Sequence, residues 1–107
     1  MAETISAIIE AFKEGDFSLS RGISGVHPIP NEDATGIEES IRDYGAKLAC
    51  LPKETWDTSV CIWYGDNWEA MVDLHTLEEG ASDLALHLKV REKAGSYSFE
   101  FCSVYVP

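Results

Sequence analysis

The sequence predicts an α+β fold in which two N-terminal helices pack on one face of a mostly antiparallel sheet of about four strands. The main observation is a change of period: apolar residues recur at helical spacing near the N-terminus and alternate with polar residues from Thr58 onward. The second is length, because 107 residues leave room for one core. Residues 1–107 are therefore predicted to form a single α+β domain.

The helical half of the chain is predicted as two helices joined by a long loop. The first helix covers residues 4–14, and Gly15 can end it. The second begins at Thr35, because Thr35 and Glu38 have the spacing of a capping box. Residues 20–34 are rich in glycine and proline and have no apolar period, which predicts a loop, and loops of this length are often functional.

Four strands are predicted in the second half, at residues 58–64, 67–76, 82–92 and 96–106. The third is the clearest, because leucine or valine occupies every second position from Leu84 to Val90. A register that joins the apolar faces and pairs unlike charges places Val72 opposite Leu88 and Leu88 opposite Phe99. The strands then form a meander.

This register places His87 between the carboxylates of Asp73 and Glu100 on the polar face of the sheet. Two flanking carboxylates can raise the pKa of a histidine and make it a general acid or base. The alternative is a cross-strand salt bridge on a solvated surface, since the sequence places no nucleophile beside the three residues.

The chain is strongly acidic: 19 Asp and Glu oppose 8 Lys and Arg, for a formal net charge of −11. Nucleic acids and anionic membranes both require cationic surfaces, so binding to neither is predicted. A basic protein is the partner class that such a field attracts most strongly. The alternative is that the acidity only keeps the protein in solution.

Aromatic and acidic residues supply the candidates for a binding surface. Trp63 breaks the alternation of its strand, which indicates a large aromatic side chain outside the core, and exposed tryptophan is typical of interface anchors. A second small core around the tryptophans is the alternative. Carboxylates at the turn near Gly80 can bind Arg or Lys of a partner, or they can serve the turn alone. The predicted partner-binding residues are Trp63, Asp66, Trp68, Glu78, Glu79 and Asp83.

The sequence contains no GxSxG, P-loop, GxGxxG or HExxH motif, and its three histidines lack ligand spacing. No catalytic residue, metal or cofactor is predicted, which is more typical of a binding module than of an enzyme. Cys50, Cys61 and Cys102 lie in apolar stretches without CxxC spacing, which predicts buried free thiols in a reducing compartment. The N-terminus lacks a basic signal-peptide start, and no apolar run is long enough to span a membrane, so the protein is predicted to be cytoplasmic.

One run of residues carries a family resemblance. The pattern W-x3-VDL-x-T-x-EEG-x-SDL extends from Trp68 to Leu84, and it is accompanied by Leu51-Pro52, Trp56 and a closing Tyr105-Val106-Pro107. Together with Ile41-x-x-Tyr44-Gly45, these residues resemble a group of small bacterial domains of unknown function. The resemblance covers about the last two-thirds of the chain and implies no established activity.

Two further likenesses imply functions. A short acidic α+β chain with an exposed aromatic strand resembles bacterial toxin-immunity proteins in type, which implies a non-enzymatic inhibitor of a basic toxin. The segment AIIEAFKEGDF resembles the first helix of NTF2-like domains. That likeness implies the alternative function, a small-molecule-binding domain or enzyme with a pocket between sheet and helices, reached through the loop of His27. A homodimer joined through the polar face of the sheet is the third hypothesis.

Overall fold

The computed structural model describes residues 2–106. The elements in this range are α1 (Ala2–Lys13), α2 (Asn31–Tyr44), α3 (Thr55–Thr58), β1 (Val60–Trp63), β2 (Trp68–Thr76), β3 (Gly80–Lys93) and β4 (Ser96–Tyr105). The four strands form one sheet in the order β1-β2-β3-β4, and every neighbouring pair is antiparallel. The predicted α+β class and the four-stranded antiparallel meander are confirmed.

The core forms where the two-residue period of the strands predicts it. Every second residue from Leu84 to Val90 is buried, and so are Val72 and Leu74 of β2. These side chains belong to one apolar cluster with residues of α1 and α2: Ile5, Ile8, Ile9, Phe12, Ile37 and Ile41. Burial of this apolar surface is the main term that stabilises the fold.

The predicted register is wrong by two residues. Val72 lies opposite Leu86 rather than Leu88, and Leu88 lies opposite Phe101 rather than Phe99. The physical reason is the short turn between β2 and β3, which pairs Thr76 with Gly80, together with an irregularity between Asp73 and His75 that shifts the pairs beyond it. A shift of two residues keeps the apolar faces together but changes which charged side chains meet.

A bulge in β4 resets the alternation of that strand. Phe101 lies opposite Leu88, and Val104 lies opposite Leu86, so β4 has one more residue than β3 over this interval. The extra residue is Cys102. Because of it, both Phe101 and Val104 pack with the core, although they lie three positions apart.

The second helix begins earlier than predicted. It starts at Asn31, directly after Pro30, and no side chain caps it. Thr35 therefore lies inside the helix, where its hydroxyl donates to the carbonyl of Asn31 at 3.0 Å, and the predicted capping box with Glu38 is wrong. Pro30 is the N-cap residue: its extended backbone (ψ 147°) lies outside the helix, and its carbonyl accepts the Ala34 N–H at 2.9 Å, which starts the helix at Asn31.

The segment between α1 and α2 covers the edge of β4. The His27 N–H donates to the Phe99 carbonyl at 3.0 Å, and the Phe99 N–H donates to the Gly25 carbonyl at 2.8 Å. Val26 forms a parallel bridge with Phe99 between these two bonds. Residues 25–27 thus satisfy backbone groups that an edge strand would otherwise expose.

Replacing Gly25 with alanine is expected to destabilise the domain more than the same change at Gly22. Both glycines have positive φ, +79° and +76°, so both variants carry the left-handed strain of about 1–2 kcal/mol. A Cβ on Gly25 would also lie 2.7 Å from the Tyr97 carbonyl oxygen, whereas none of the described atoms lies within 4 Å of one on Gly22. Urea unfolding of both variants is expected to show about 1 kcal/mol or more of additional loss at Gly25. Equal losses would mean that the loop can move away from β4 freely.

Within residues 2–106, no helix combines the length and the apolar composition that crossing a bilayer requires.

Candidate functional site

The edge strand β1 exposes an unusual number of apolar side chains. All four of its residues are exposed. Of the seven large apolar side chains recorded as exposed in residues 2–106, four lie in or directly after β1. They are Val60, Ile62, Trp63 and Tyr64. Val60, Ile62 and Tyr64 lie on one face of the strand and Trp63 on the other, so both faces of this edge are apolar. Several exposed apolar side chains on one edge strand are typical of an interaction surface, whereas single exposed apolar residues are common on any protein.

The backbone of β1 is also open on one side. The Tyr64 N–H donates to the Asn67 carbonyl at 2.8 Å, so this pair marks a hydrogen-bonded position of the β1–β2 ladder. Hydrogen-bonded positions alternate along an antiparallel strand, and Ile62 therefore also bonds to β2. The amide and carbonyl groups of Cys61 and Trp63 then point away from the sheet. Within residues 2–106, β1 pairs only with β2.

Three aromatic rings form a row across the end of the sheet. Trp63 and Trp68 are direct register partners, and their ring centroids lie 4.5 Å apart. Trp68 also contacts Tyr97, at a centroid distance of 6.1 Å. Trp63 is 53% exposed, whereas Trp68 is partly buried against the core. Trp68 thus supports Trp63 in a defined position at the solvent edge.

An apolar cleft of about 270 Å³ lies beside the core side of β1. It is lined by the start of α1, by α3 and by the first two strands, with Ile5, Trp56, Cys61 and Val72 among its residues. A different depression, of about 330 Å³, lies at His27 and is lined by polar as well as apolar residues. The apolar cleft is therefore not the pocket that the NTF2-like alternative places at the His27 loop.

Helix α3 determines where β1 begins. The Thr55 hydroxyl, on a side chain that is 1% exposed, donates to the Asp73 carbonyl. The Asp73 N–H donates to the Ser59 hydroxyl at 3.0 Å, and this hydroxyl donates to the Thr55 carbonyl at 2.6 Å. Two side chains thus take over the bonds that a longer β1 would make to β2. This arrangement ends the ladder at Val60 and leaves space for the apolar cleft.

Replacing Thr55 with valine is expected to lower the free energy of unfolding by about 1–3 kcal/mol, because the partly buried Asp73 carbonyl loses the Thr55 hydroxyl as a donor. Valine keeps the shape of threonine, so cavity effects are small. Thr58 is exposed and offers a matched control, since Thr58→Val removes only a weak 3.4 Å contact to the Thr55 carbonyl. Chemical denaturation measures both. A loss at Thr55 no larger than at Thr58 would contradict the assigned role.

The six predicted partner-binding residues fall into two groups at opposite ends of β2. Trp63 and Trp68 pair across β1 and β2, and Asp66 lies exposed in the turn between them. The other group is at the turn between β2 and β3: Glu78, Glu79 and Asp83. The nine residues of β2 separate the groups by about 27 Å, at ~3.4 Å per residue. We call the first group, together with Val60–Tyr64, the β1 surface.

The second group makes bonds within the domain. Both carboxylate oxygens of Glu78 accept from the Lys47 N–H, at 3.0 and 3.2 Å. The Asp83 N–H donates to the Tyr44 hydroxyl at 3.0 Å. This last bond favours the Tyr44 phenolate, but the Glu79 hydrogen bond, burial and the nearby negative charges outweigh it and raise the pKa of Tyr44. These residues join the chain between α2 and α3 to the sheet.

The stretch of chain that contains β1 carries charges of one sign only. Residues 54–88 contain eight Asp and Glu and no Lys or Arg. This stretch includes α3, β1, β2 and the first half of β3. The open strand β1 and its neighbour β2 thus lie in a stretch of chain whose formal charges are all negative.

The structure does not assemble the predicted trio of Asp73, His87 and Glu100. Neither carboxylate is a register partner of His87. Instead, His87 Nε2 lies 2.7 Å from Glu69 Oε1, and both side chains are only about a quarter exposed. The structure thus contains a single imidazole–carboxylate pair across β2 and β3, which is the kind of contact that the salt-bridge alternative describes. Within residues 2–106, no group of three His, Cys, Asp or Glu side chains could hold a metal ion.

The prediction of buried thiols is wrong. Cys50 and Cys61 are exposed, and Cys102 is partly buried; all three are free. Cys61 is exposed because it lies on the edge strand, and Cys50 lies outside the core, where the Lys13 ammonium donates to its sulfur at 3.0 Å. Cys102 is the bulge residue, and its partial burial raises the pKa of its thiol.

The comparison with protein families gives one match. A family described as "Domain of unknown function (DUF7668)" matches residues 9–107. The chain belongs to this family. The DUF7668 match includes the last five residues of α1, all of α2 and α3, and the whole sheet. The predicted resemblance to a small family of unknown function is thereby confirmed. The searches of curated proteins and of solved structures gave no significant match to this DUF7668 chain.

Proposed function

We propose that this DUF7668 domain is a non-enzymatic module that binds a basic protein through the β1 surface. One observation carries the proposal. Trp63, on the open edge strand β1, is half-exposed, and its ring packs against the ring of Trp68. Both residues lie within residues 54–88, which contain no Lys or Arg. Tryptophan at such a position is typical of residues that dominate binding energy.

Charge and apolar contact have separate roles in this proposal. The carboxylates of residues 54–88 attract a cationic partner and speed its approach. Burial of Trp63, Ile62 and Val60 then supplies affinity at about 25 cal/mol per Å² of apolar surface removed from water. Asp66 lies beside the tryptophans and is suited to accept a bond from an Arg or Lys of the partner. Glu78, Glu79 and Asp83 add to the field from the far turn.

The proposal has a more specific form, an immunity-type inhibitor of a basic toxin. Carboxylates around Trp63 would occupy the cationic groups with which such a toxin binds its own anionic substrate.

Two further predictions, on helix packing and on location, belong with the proposed function. Both helices pack on one face of the sheet, which leaves the Glu69–His87 face free, and the protein acts in the cytoplasm, where exposed free thiols persist.

The apolar cleft favours a second candidate, small-molecule binding as in the NTF2-like alternative. Its volume of about 270 Å³ lies just below the roughly 300–1,000 Å³ of most ligand pockets. It also adjoins β1 and Trp56 rather than the His27 loop. The size and place of the cleft suit one side chain of a bound protein better than a separate ligand.

Co-purification at two salt concentrations tests the proposed function. The tagged domain is incubated with extract of its source cells, and bound proteins are eluted as the salt rises from about 0.1 M to 1 M, which shortens the Debye length from ~10 to ~3 Å. A basic partner that binds at low salt and is released at high salt is expected. Binding that does not weaken as the salt concentration rises, or the absence of a basic partner, would contradict the proposal. The Asp66→Asn variant is expected to bind less of the partner than Asp43→Asn, a matched change at an exposed site on α2.

A further inference from the structure

We propose that the basic partner binds as an added β-strand: an extended segment of it pairs with the open edge of β1 and inserts one apolar side chain into the cleft beside α1 and α3. This inference rests on the proposed function, because it specifies how the basic protein is held. It involves the outward backbone groups of β1 and the apolar cleft, neither of which the proposed function itself requires.

The first support is that residues 25–27 cover the β4 edge of the sheet, whereas the β1 edge is open. At β4, residues 25–27 bond to both backbone groups of Phe99. At β1, the outward amides and carbonyls of Cys61 and Trp63 have no such cover among residues 2–106. Proteins usually protect an edge strand with lysine, proline or a covering segment. β1 contains neither lysine nor proline, so its edge is suited to pairing with another strand.

The second support is the position of the cleft. Side chains of an added strand alternate between the two faces of the sheet. Cys61 and Ala70 face each other on the core side of β1 and β2, and both line the cleft. A residue of the added strand beside Cys61 would therefore point its side chain toward the same apolar lining, which includes Ile5 and Trp56. The next core-side residue would lie beside Trp63.

The third support is charge, which decides between a basic segment and a second copy of this chain. Each copy has a net charge of −11. Antiparallel pairing of two β1 strands creates no charged cross-strand pair, since β1 has no charged residue, but it would bring together two molecules of the same strong net charge, whose repulsion opposes pairing. A segment that alternates apolar residues with Lys or Arg meets the same surface with opposite charge. The occupant is therefore a basic, extended segment of a different protein.

Selection from a library of random 12-residue peptides displayed on phage tests this inference on the full chain. Enriched peptides are expected to alternate apolar residues with Lys or Arg. One such peptide is then synthesised, and amide hydrogen exchange is followed with and without it. The amides of Cys61 and Trp63 are expected to exchange about tenfold or more slowly in the complex, because each gains a strand hydrogen bond.

Two variants at one position provide a matched comparison. Cys61→Pro removes an N–H that points away from β2, so the β1–β2 ladder keeps its bonds. Cys61→Ser removes the thiol but keeps the N–H. The proline variant is expected to bind the selected peptide about tenfold more weakly, through loss of one bond and a clash with the added backbone, and the serine variant within about twofold of the parent. Urea unfolding verifies that both variants are folded.

The other outcomes separate strand addition from the proposed function. A peptide that binds without slowing exchange at Cys61 and Trp63, or that binds Cys61→Pro as well as Cys61→Ser, overturns strand addition and leaves a basic partner in place. Enrichment of acidic peptides, or of no alternating basic peptide, also overturns it. So does a dimer of the chain alone with the same amides protected, since a second copy would then fill the edge. The co-purification experiment judges the proposed function independently.

Discussion

Replacing Trp63 with alanine is expected to weaken binding of the basic partner by about 2 kcal/mol or more, roughly 30-fold in the dissociation constant. The side chain is 53% exposed in the free domain, so its remaining surface is available for burial by a partner. Trp68 holds the ring in place from the core side, which reduces the entropy lost on binding. Isothermal titration with the co-purified partner measures the change.

Leu77 provides the control for this experiment. It is 69% exposed, yet it lies at the far end of β2, away from the β1 surface. Leu77→Ala is therefore expected to change the dissociation constant less than about twofold. Similar losses in the two variants would point to a general apolar effect rather than to the β1 surface. The free energy of unfolding, measured for both, excludes loss of fold as the cause.

Replacing Leu86 with alanine is expected to lower the free energy of unfolding by about 2–5 kcal/mol. Leu86 is 0% exposed and lies at the centre of the sheet, between Val72 on one side and Val104 on the other. Strands on both sides hold the backbone, so the cavity can close only partly. This loss is a large share of the roughly 5–15 kcal/mol that stabilises a typical domain.

Urea unfolding measures the Leu86 effect, with Leu77→Ala again as the exposed comparison. A change below about 1 kcal/mol at Leu86 would contradict the assignment of Leu84, Leu86, Leu88 and Val90 to one buried layer, because removing three buried carbon atoms from such a layer costs more. The slope of unfolding against urea is expected to stay constant, since neither substitution alters the surface exposed on unfolding.

The faces of the strands could be predicted from the sequence, but their register could not. Alternation alone decides that Leu84 and Leu88 lie inward, and the structure confirms this. Pairing depends on turn length, and a shift of two residues preserves the alternation that the prediction uses. The bulge at Cys102 is visible in the sequence only as a change in the apolar period between Phe101 and Val104, which two-residue alternation alone does not interpret.

The predictions of the α2 boundary and of cysteine burial are wrong because each uses a short local pattern, whereas the outcome depends on residues outside that pattern. Thr35 and Glu38 have the spacing of a capping box, but proline at position 30 starts the helix one turn earlier. Cys61 lies among apolar neighbours, which is typical of a core residue in a central strand. Its strand lies at the edge of the sheet, and strand order is a tertiary property that the local sequence does not contain.

The candidate site was only partly predictable. The irregular alternation around Trp63 indicates an exposed aromatic residue, and the turn after Tyr64 places Trp68 near it. The open backbone of Cys61 and the apolar cleft depend on where α3 interrupts the ladder, through Thr55 and Ser59. A usable signal does exist in the sequence: residues 60–64 are apolar on both faces, which a strand with one solvated face does not require.

The cover that residues 25–27 place on β4 limits the stoichiometry of any complex formed at β1. A sheet with two free edges can grow in both directions, and repeated addition leads to fibres. Here one edge is already occupied at Phe99, and α2 lies close to residues 101–104 of β4. A partner strand that docks on β1 therefore leaves no open edge for a further strand. Each molecule binds one partner, and the sheet does not extend into a polymer.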